Sequence, residues 1–567
     1  MAETLISPGV LARENDQSFI TSQPVTVGAA IIGPTVKGPV EVPTVITSYS
    51  QYQNTFGSTF TSASNVYTYF TSIAAYNYFN NGGETLLVAR VVSGSYSSAI
   101  SPASGSNTSG SVVFETLSEG VMMNSSSSLS SNGALASGSI DNIRWQIVNS
   151  NTSSGTFDLL VRRGDDTGNT PIVLETWTNL SLDPMTTNYV AKVIGDQTYN
   201  YASSGTSYYL EITGSYPVKS KYLRVKSVPS LTPGYFDNSG SPKAQYTSSI
   251  PLNGSGSFSG ATGDIMGNAQ YYNTITDGNR SQGIPSGSYS NMINLLSNTD
   301  DYKFNLLLTP GLFDSLQPSQ VTSIISNTQN RGDNLFVLDL VPYNSQVATV
   351  VTQAASRNTS YAASYWPWVQ VLDPDSGQQV WVPASTVLGG VYAFNDSVAE
   401  PWFAPAGINR GGLGQVIRAE RKLAQSDRDT LYSGKVNPIA TFPGQGTVVY
   451  GQKTLQTKAS ALDRVNVRRL LISLKSYISQ VANNLVFEQN SVATRNSFLA
   501  QVNPYLESVQ QRQGLYAFKV VMDESNNTAD VVDRNEMVGQ IYIQPTKTAE
   551  FIYLDFNITP TGTTFPG

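Results

Sequence analysis

Residues 25–33 read VTVGAAIIG and run straight into Pro34. A continuous apolar run of this length, closed by Gly-Pro, predicts a strand buried on both faces, as in a parallel sheet covered by helices. ETLLVARVV (84–92) repeats the pattern, and VPTVITSYSQYQNTFG (42–57) between them reads as strand, turn and short helix. The same grammar returns in FNLLLTPG (304–311), NLFVLDLVP (334–342) and WPWVQVLDP (366–374). SQVTSIISNTQNRG and NSQVATVVTQAASRN lie between these runs and carry helical spacing. Matching grammar on both sides of a dissimilar region predicts one α/β middle domain, residues 23–94 with 301–390, interrupted by an insertion.

Within the interruption the composition turns to Ser, Gly, Thr and Asn. SVVFETL, IRWQIVN, TFDLLVRR, IVLETW, YYLEIT and YLRVKSV are short alternating segments with no helical period between them. They predict an all-β insertion over 95–229. Residues 230–300 read as a Gly/Ser-rich connecting region. Within it GSGSFSGATG (254–263) has no Lys-Ser/Thr after it, so it reads as a flexible linker and not as a phosphate loop.

From 391 the pattern is α+β, giving a C-terminal domain over 391–545. In DRVNVRRLLISLKSYISQVANNLVFEQN (463–490) Val467, Leu470, Leu471, Leu474, Ile478, Val481 and Leu485 form an amphipathic stripe. A second helix follows, SVATRNSFLAQVNPYLESVQQRQG, punctuated by Pro504 and stopping at Gly514. LYAFKVVMDES and MVGQIYIQP read as strands. TAEFIYLDFNIT, within a C-terminal strand or arm over 546–567, reads as a last strand with one apolar face.

Composition removes several classes of function. The 567 residues include no cysteine and no histidine, which excludes disulfides, Cys/His zinc sites and the Ser-His-Asp triad. A net charge of −7 argues against a general nucleic-acid binder. MAETLIS lacks the basic and apolar regions of a signal peptide, and no run reaches the roughly 18 apolar residues of a membrane span, so a soluble chain made in the cytosol is expected. No catalytic constellation stands out, and no cofactor or metal is expected. Asp523, Glu524, Asp530, Asp533 and Glu536 are acidic neighbours without EF-hand spacing, which favours a solvated connection between strands. Arg331-Gly332-Asp333 reads as a turn. Arg464, Arg468, Arg469 and Lys475 are the notable charge group, readable as a docking stripe for an acidic partner or as a solvated face.

AEPWFAPAGINRGGL (399–413), VNPIATFPGQGTVVYGQKTL (436–455) and VNVRRLLISL (465–474) occur in this order, followed by DESNNTADVVDRNE, IYIQP and AEFIYLDF. Together they resemble the contractile-tail sheath proteins of T-even-like myophages, related to pyocin and type VI secretion sheaths. TFDLLVRRGD, ETWTNLSLDPMTTNYVAKVIGDQ (175–197) and the opening SPGVLARENDQS (7–18) are also similar to sheath sequences. Gln489 stands in FEQN where such sequences have Pro, and Leu11 where an aromatic is common.

The resemblance implies a non-enzymatic structural subunit of a phage virion tail, assembled in the host cytoplasm. Subunits would stack as rings, hexameric in the family, around an inner tail tube protein between baseplate and tail terminator proteins, with no direct nucleic-acid or membrane contact. It also implies contraction on energy stored at assembly, driving the tube through the host envelope, and arms that add strands to neighbouring subunits. The implied exchange residues are Pro8, Gly9, Val10, Leu11, Ala12, Arg13 and Glu14, within an N-terminal arm over 1–22, and Phe551, Ile552, Tyr553, Leu554, Asp555 and Phe556. Arg464, Arg468, Arg469 and Lys475 become the candidate tube-facing stripe. The expected fold class is a multidomain α+β and α/β chain: a nested α/β core, an all-β insertion, and an α+β C-terminal domain carrying strand-exchange arms. A β-rich phage adhesin and a tail-associated carboxylate-dependent glycan hydrolase are the alternatives.

Overall fold

The computed structural model describes residues 26–62, 65–103, 112–228, 236–241, 250–265 and 277–553. Its centre is an eight-stranded sheet. In chain order the strands are β1 (Thr26–Gly33), β2 (Thr44–Ile46), β3 (Leu86–Arg90), β4 (Lys303–Phe313), β5 (Leu335–Asp339), β6 (Ala362–Trp366), β7 (Asn437–Phe442) and β8 (Gly446–Val449). In space the order is β2-β3-β1-β4-β5-β6-β7-β8. All pairings are parallel except β2 with β3 and β7 with β8, which close the two edges.

The apolar runs quoted above form these strands because both faces of the sheet are covered, so successive side chains enter two different cores. Ala29, Ile31, Leu306, Leu308, Leu335 and Val337 face one core. Ala30, Ile32, Leu307, Phe336 and Leu338 face the other. On the first face lie α1 (Tyr49–Phe56), α2 (Phe70–Asn80) and, from later in the chain, Ser385–Val398. On the second lie α3 (Pro318–Arg331) and α4 (Val347–Ala355). Arg331-Gly332-Asp333 is the end of α3: Gly332 takes the left-handed conformation (φ 71°) that stops the helix, and Arg331 pairs with Asp333 at 2.7 Å.

The sheet runs through the boundary placed at residue 390. Its last two strands, β7 and β8, come after α5 (Ser385–Val398), so the sheet is completed by residues assigned from sequence to a separate C-terminal domain.

The insertion is a largely β body with its own core, to which the short helix Val190–Ile194 also contributes, so the all-β expectation is corrected. Strands Val173–Ser181, Thr156–Arg163, Ile143–Asn151 and Gly254–Ser257 form one antiparallel sheet; Leu223–Ser227, Val112–Glu119 and Ser98–Ala103 form another. Phe114, Trp145, Phe157, Leu159, Val161 and Phe258 share the core of both. The linker reading of 254–263 is therefore corrected. GSGS is an edge strand, with Gly254 opposite Ile147 and Ser257 opposite Arg144. Glycine is required at 256 because a Cβ there would stand 2.3 Å from the Trp145 ring. The insertion accordingly extends past residue 229.

The C-terminal layer contains α6 (Val465–Asn483), α7 (Val492–Gln511), β9 (Leu515–Val521) and β10 (Gln540–Pro545). Pro504 does not interrupt α7, which runs through it unbroken. α6 buries two faces. Val465 and Ile472, outside the stripe, enter the core of the large sheet, whereas Leu470, Leu474 and Val481 of the stripe pack on Phe498, Val502, Leu506 and Val509 of α7. The helix thus fastens the layer to the sheet.

Candidate functional site at the C-terminal layer

β9 and β10 are antiparallel neighbours, Val521 opposite Gln540 and Ala517 opposite Gln544. Phe518, Val520, Ile541 and Ile543 turn one face onto the α6–α7 core. The other face carries Tyr516 and Tyr542, 62% and 57% exposed. Among the described residues these two strands pair only with each other. Each therefore has an outer edge without a strand partner among the described residues, the feature that templates addition of another strand, although Tyr516 O and Val521 O accept from the Gln510 and Asn526 side chains.

The connection between them is closed by Asn527, 4% exposed, which donates from Nδ2 to Val538 O (2.9 Å) and accepts from Val538 N (2.8 Å). The neighbouring acids remain separate. Asp523 accepts from Ser525 N at 2.8 Å and Glu536 pairs with Arg534 at 3.1 Å. Among the described residues no group of three or more such side chains converges to hold a metal.

The four cations assigned to a docking stripe do not share an open face. Arg469 is 3% exposed and grips Asp396 on α5 with both terminal nitrogens, at 2.8 and 2.5 Å. Burial works against its charge, but the Asp396 carboxylate outweighs it and holds the guanidinium above its ordinary pKa. Arg468 is 4% exposed, donates to Ser360 Oγ and lies over the Tyr361 ring at 4.0 Å. With a hydroxyl and an aromatic face in place of a carboxylate, burial lowers its pKa. Arg464 donates from Nε to Glu550 Oε1 at 2.7 Å and pairs with Asp463 at 3.0 Å. Only Lys475 is exposed, with Nζ 3.4 Å from the Tyr361 hydroxyl. A stripe read as solvent-facing is a set of rivets between α6 and the body, because i,i+4 spacing shows which residues share a side but not what covers it.

Glu550 had no sequence signal. Its Oε2 accepts from the Tyr432 hydroxyl (2.7 Å), and its Oε1 accepts from Arg464 and from Gln452 Nε2 (3.2 Å). These partners lie 118, 86 and 98 residues away in sequence, so only the tertiary fold assembles them. Burial raises the Tyr432 phenol pKa, and the carboxylate it faces raises it further, keeping it a donor. Gln452 also donates to Thr548 Oγ1 at 2.6 Å, and Thr546 bonds Gln513 O at 2.7 Å. Beyond this clamp Phe551, Ile552 and Tyr553 are 70%, 76% and 87% exposed and lie in no strand, since one needs a partner edge. Leu554, Asp555 and Phe556, like Pro8 to Glu14, lie outside the described residues.

Residues 287–455 match the family described as the phage tail sheath protein central domain, and residues 457–559 the phage tail sheath C-terminal domain. This stretch is similar to phage tail sheath domains. The tail sheath protein of Vibrio phage KVP40 is 41% identical over 224 residues, and that of Enterobacteria phage T4 is 40% identical over 227. Each match covers 40% of this chain and about a third of the relative (33% and 34%). The sheath tail protein Lin1278 from Listeria innocua shares the fold with a TM-score of 0.53 at 11% identity, covering 92% of this chain and 96% of that one. The match to the central domain thus ends just after β8, and the match to the C-terminal domain takes in α6, α7, the β9–β10 pair and Glu550.

Proposed function

We propose that the chain is the subunit of a contractile tail sheath in a phage virion. It polymerises as stacked rings around an inner tail tube, between baseplate and terminator proteins, and contracts to drive the tube through the host envelope. The observation that carries this reading is a two-stranded sheet whose strands have no other strand partner among the described residues, inside the segment that matches the sheath C-terminal domain. Arms from neighbouring copies fit those edges by β-augmentation, with backbone hydrogen bonds supplying affinity and alternate side chains fixing register.

About five such bonds, at roughly 0.5–1.5 kcal/mol each, are worth several kcal/mol per link before the cost of ordering the arm. Links of this kind persist while subunits change from an extended to a contracted lattice, so the energy is stored at assembly without a nucleotide. The β insertion, with its own core, projects from the lattice. The tube-facing role of Arg468 and Arg469 is not retained, because both are engaged inside the chain.

Negative-stain microscopy of the expressed full chain tests the reading. Tubes or rings are expected; a dispersed monomer under all concentrations and salt conditions would overturn it.

A further inference from the structure

We propose that Glu550 is the anchor from which the C-terminal arm is launched, and that the segment exchanged with a second copy of this chain begins at Phe551. The inference rests on the sheath reading and sharpens it, since the sequence places the start of the arm at 546.

Three observations carry it. Residues 546–550 are tied to the subunit's own body at successive alternate positions: Thr546 to the end of α7, Thr548 to Gln452, and Glu550 to Tyr432, Gln452 and Arg464. The Glu550 donors come from three separate places, the end of the helix Gln425–Ser433, the chain after β8, and the start of α6. One side chain thereby fixes the departing backbone to the layer and to the main body at once. The contact then ends within a single residue, where three consecutive large apolar side chains stand open.

An apolar triplet left uncovered directly after a multiply bonded, charge-assisted clamp is arranged to be covered by something other than its own subunit. A second copy is the occupant because every copy carries a strand pair with an apolar inner face and, among the described residues, no further strand partner. The clamp also has a mechanical role. A strand donated to a neighbour transmits force to its own subunit only through its root, and a root that slid or peeled would let the lattice lengthen without turning the body.

The test uses the full chain with Glu550→Gln and, independently, Tyr432→Phe with Gln452→Ala, which leaves the carboxylate in place. Limited proteolysis of the unassembled chain reads the anchor. Chymotrypsin is expected to cut readily at Phe551 and Tyr553 and trypsin only slowly at Lys547, with cleavage at Lys547 rising about tenfold or more in both variants. Polymer yield by sedimentation and microscopy reads the role. Both variants are expected to give fewer or irregular tubes with the body still folded by circular dichroism.

Unchanged cleavage at Lys547 would overturn the anchor. Raised cleavage with wild-type yield and morphology would overturn its part in assembly. Wild-type protein that never polymerises would sink the sheath reading and the exchange role with it, while the cleavage data would still decide whether Glu550 is an anchor.

Discussion

Removing the Asp396 carboxylate leaves Arg469 buried without a counter-charge, and removal of one partner of such a pair typically costs about 3 kcal/mol. Asp396→Ala is expected to lower the urea midpoint accordingly, and Arg469→Met added to it to restore most of the loss. By the same reasoning, reversing Arg468 and Arg469 to Glu would unfold the layer rather than merely weaken a contact with a tube. Asp339, at the end of β5, accepts from Ser385 N (3.1 Å) and Oγ (2.5 Å) at the start of α5. Burial pushes its pKa up to about 7, and the hydrogen bonds from Ser385 and Gly311 offset only part of that. A carboxyl near 3.9 when unfolded and about 7 when folded holds its proton longer in the native state. Its contribution is therefore complete below the unfolded value and is lost as the pH rises through 7. Wild type is expected to lose about 2 kcal/mol more than Asp339→Asn between pH 5 and 8, measured by thermal unfolding across that range.

Gly256 illustrates at the level of an element what a sequence conceals. Gly256→Val would drive two methyl groups into the Trp145 ring, and a loss of about 1–3 kcal/mol is expected, seen as a lower melting temperature with altered tryptophan fluorescence. GSGS reads as a linker because nothing in four small residues reveals that a tryptophan on the neighbouring strand demands their smallness. The strands of the large sheet were legible for the opposite reason: helices cover both faces, so their own side chains are apolar throughout. α6 was legible as a helix from its stripe, but not the fate of its arginines, since Asp396 and Tyr361 approach from distant parts of the chain. The limit at residue 390 failed because sheet membership is decided by pairing, and β7 joins β6 from beyond a whole helix. Glu550 lay within an expected arm, and three remote donors show that it stays with the body.

For the whole molecule, the sheath reading separates folding from assembly. Truncation after Glu550 is expected to leave the melting temperature of the body within about 2 °C of wild type, because the described residues removed touch little of it, while abolishing tubes. Loss of the fold itself in that variant would show that the segment belongs to its own subunit. The route of the insertion has a separate consequence. β3 and β4 lie on either side of β1 and run parallel to it, so everything between Arg90 and Lys303 is one crossover from the end of one strand to the beginning of another. A crossover needs only about a dozen residues, usually with a helix. The stretch 277–302 already supplies them, with Ser290–Leu295 packing Met292, Ile293 and Leu295 into the second core. The β body is thus a passenger on a connection that can close without it, a position where evolution or an engineer can exchange one module for another while the eight-stranded frame keeps its wiring.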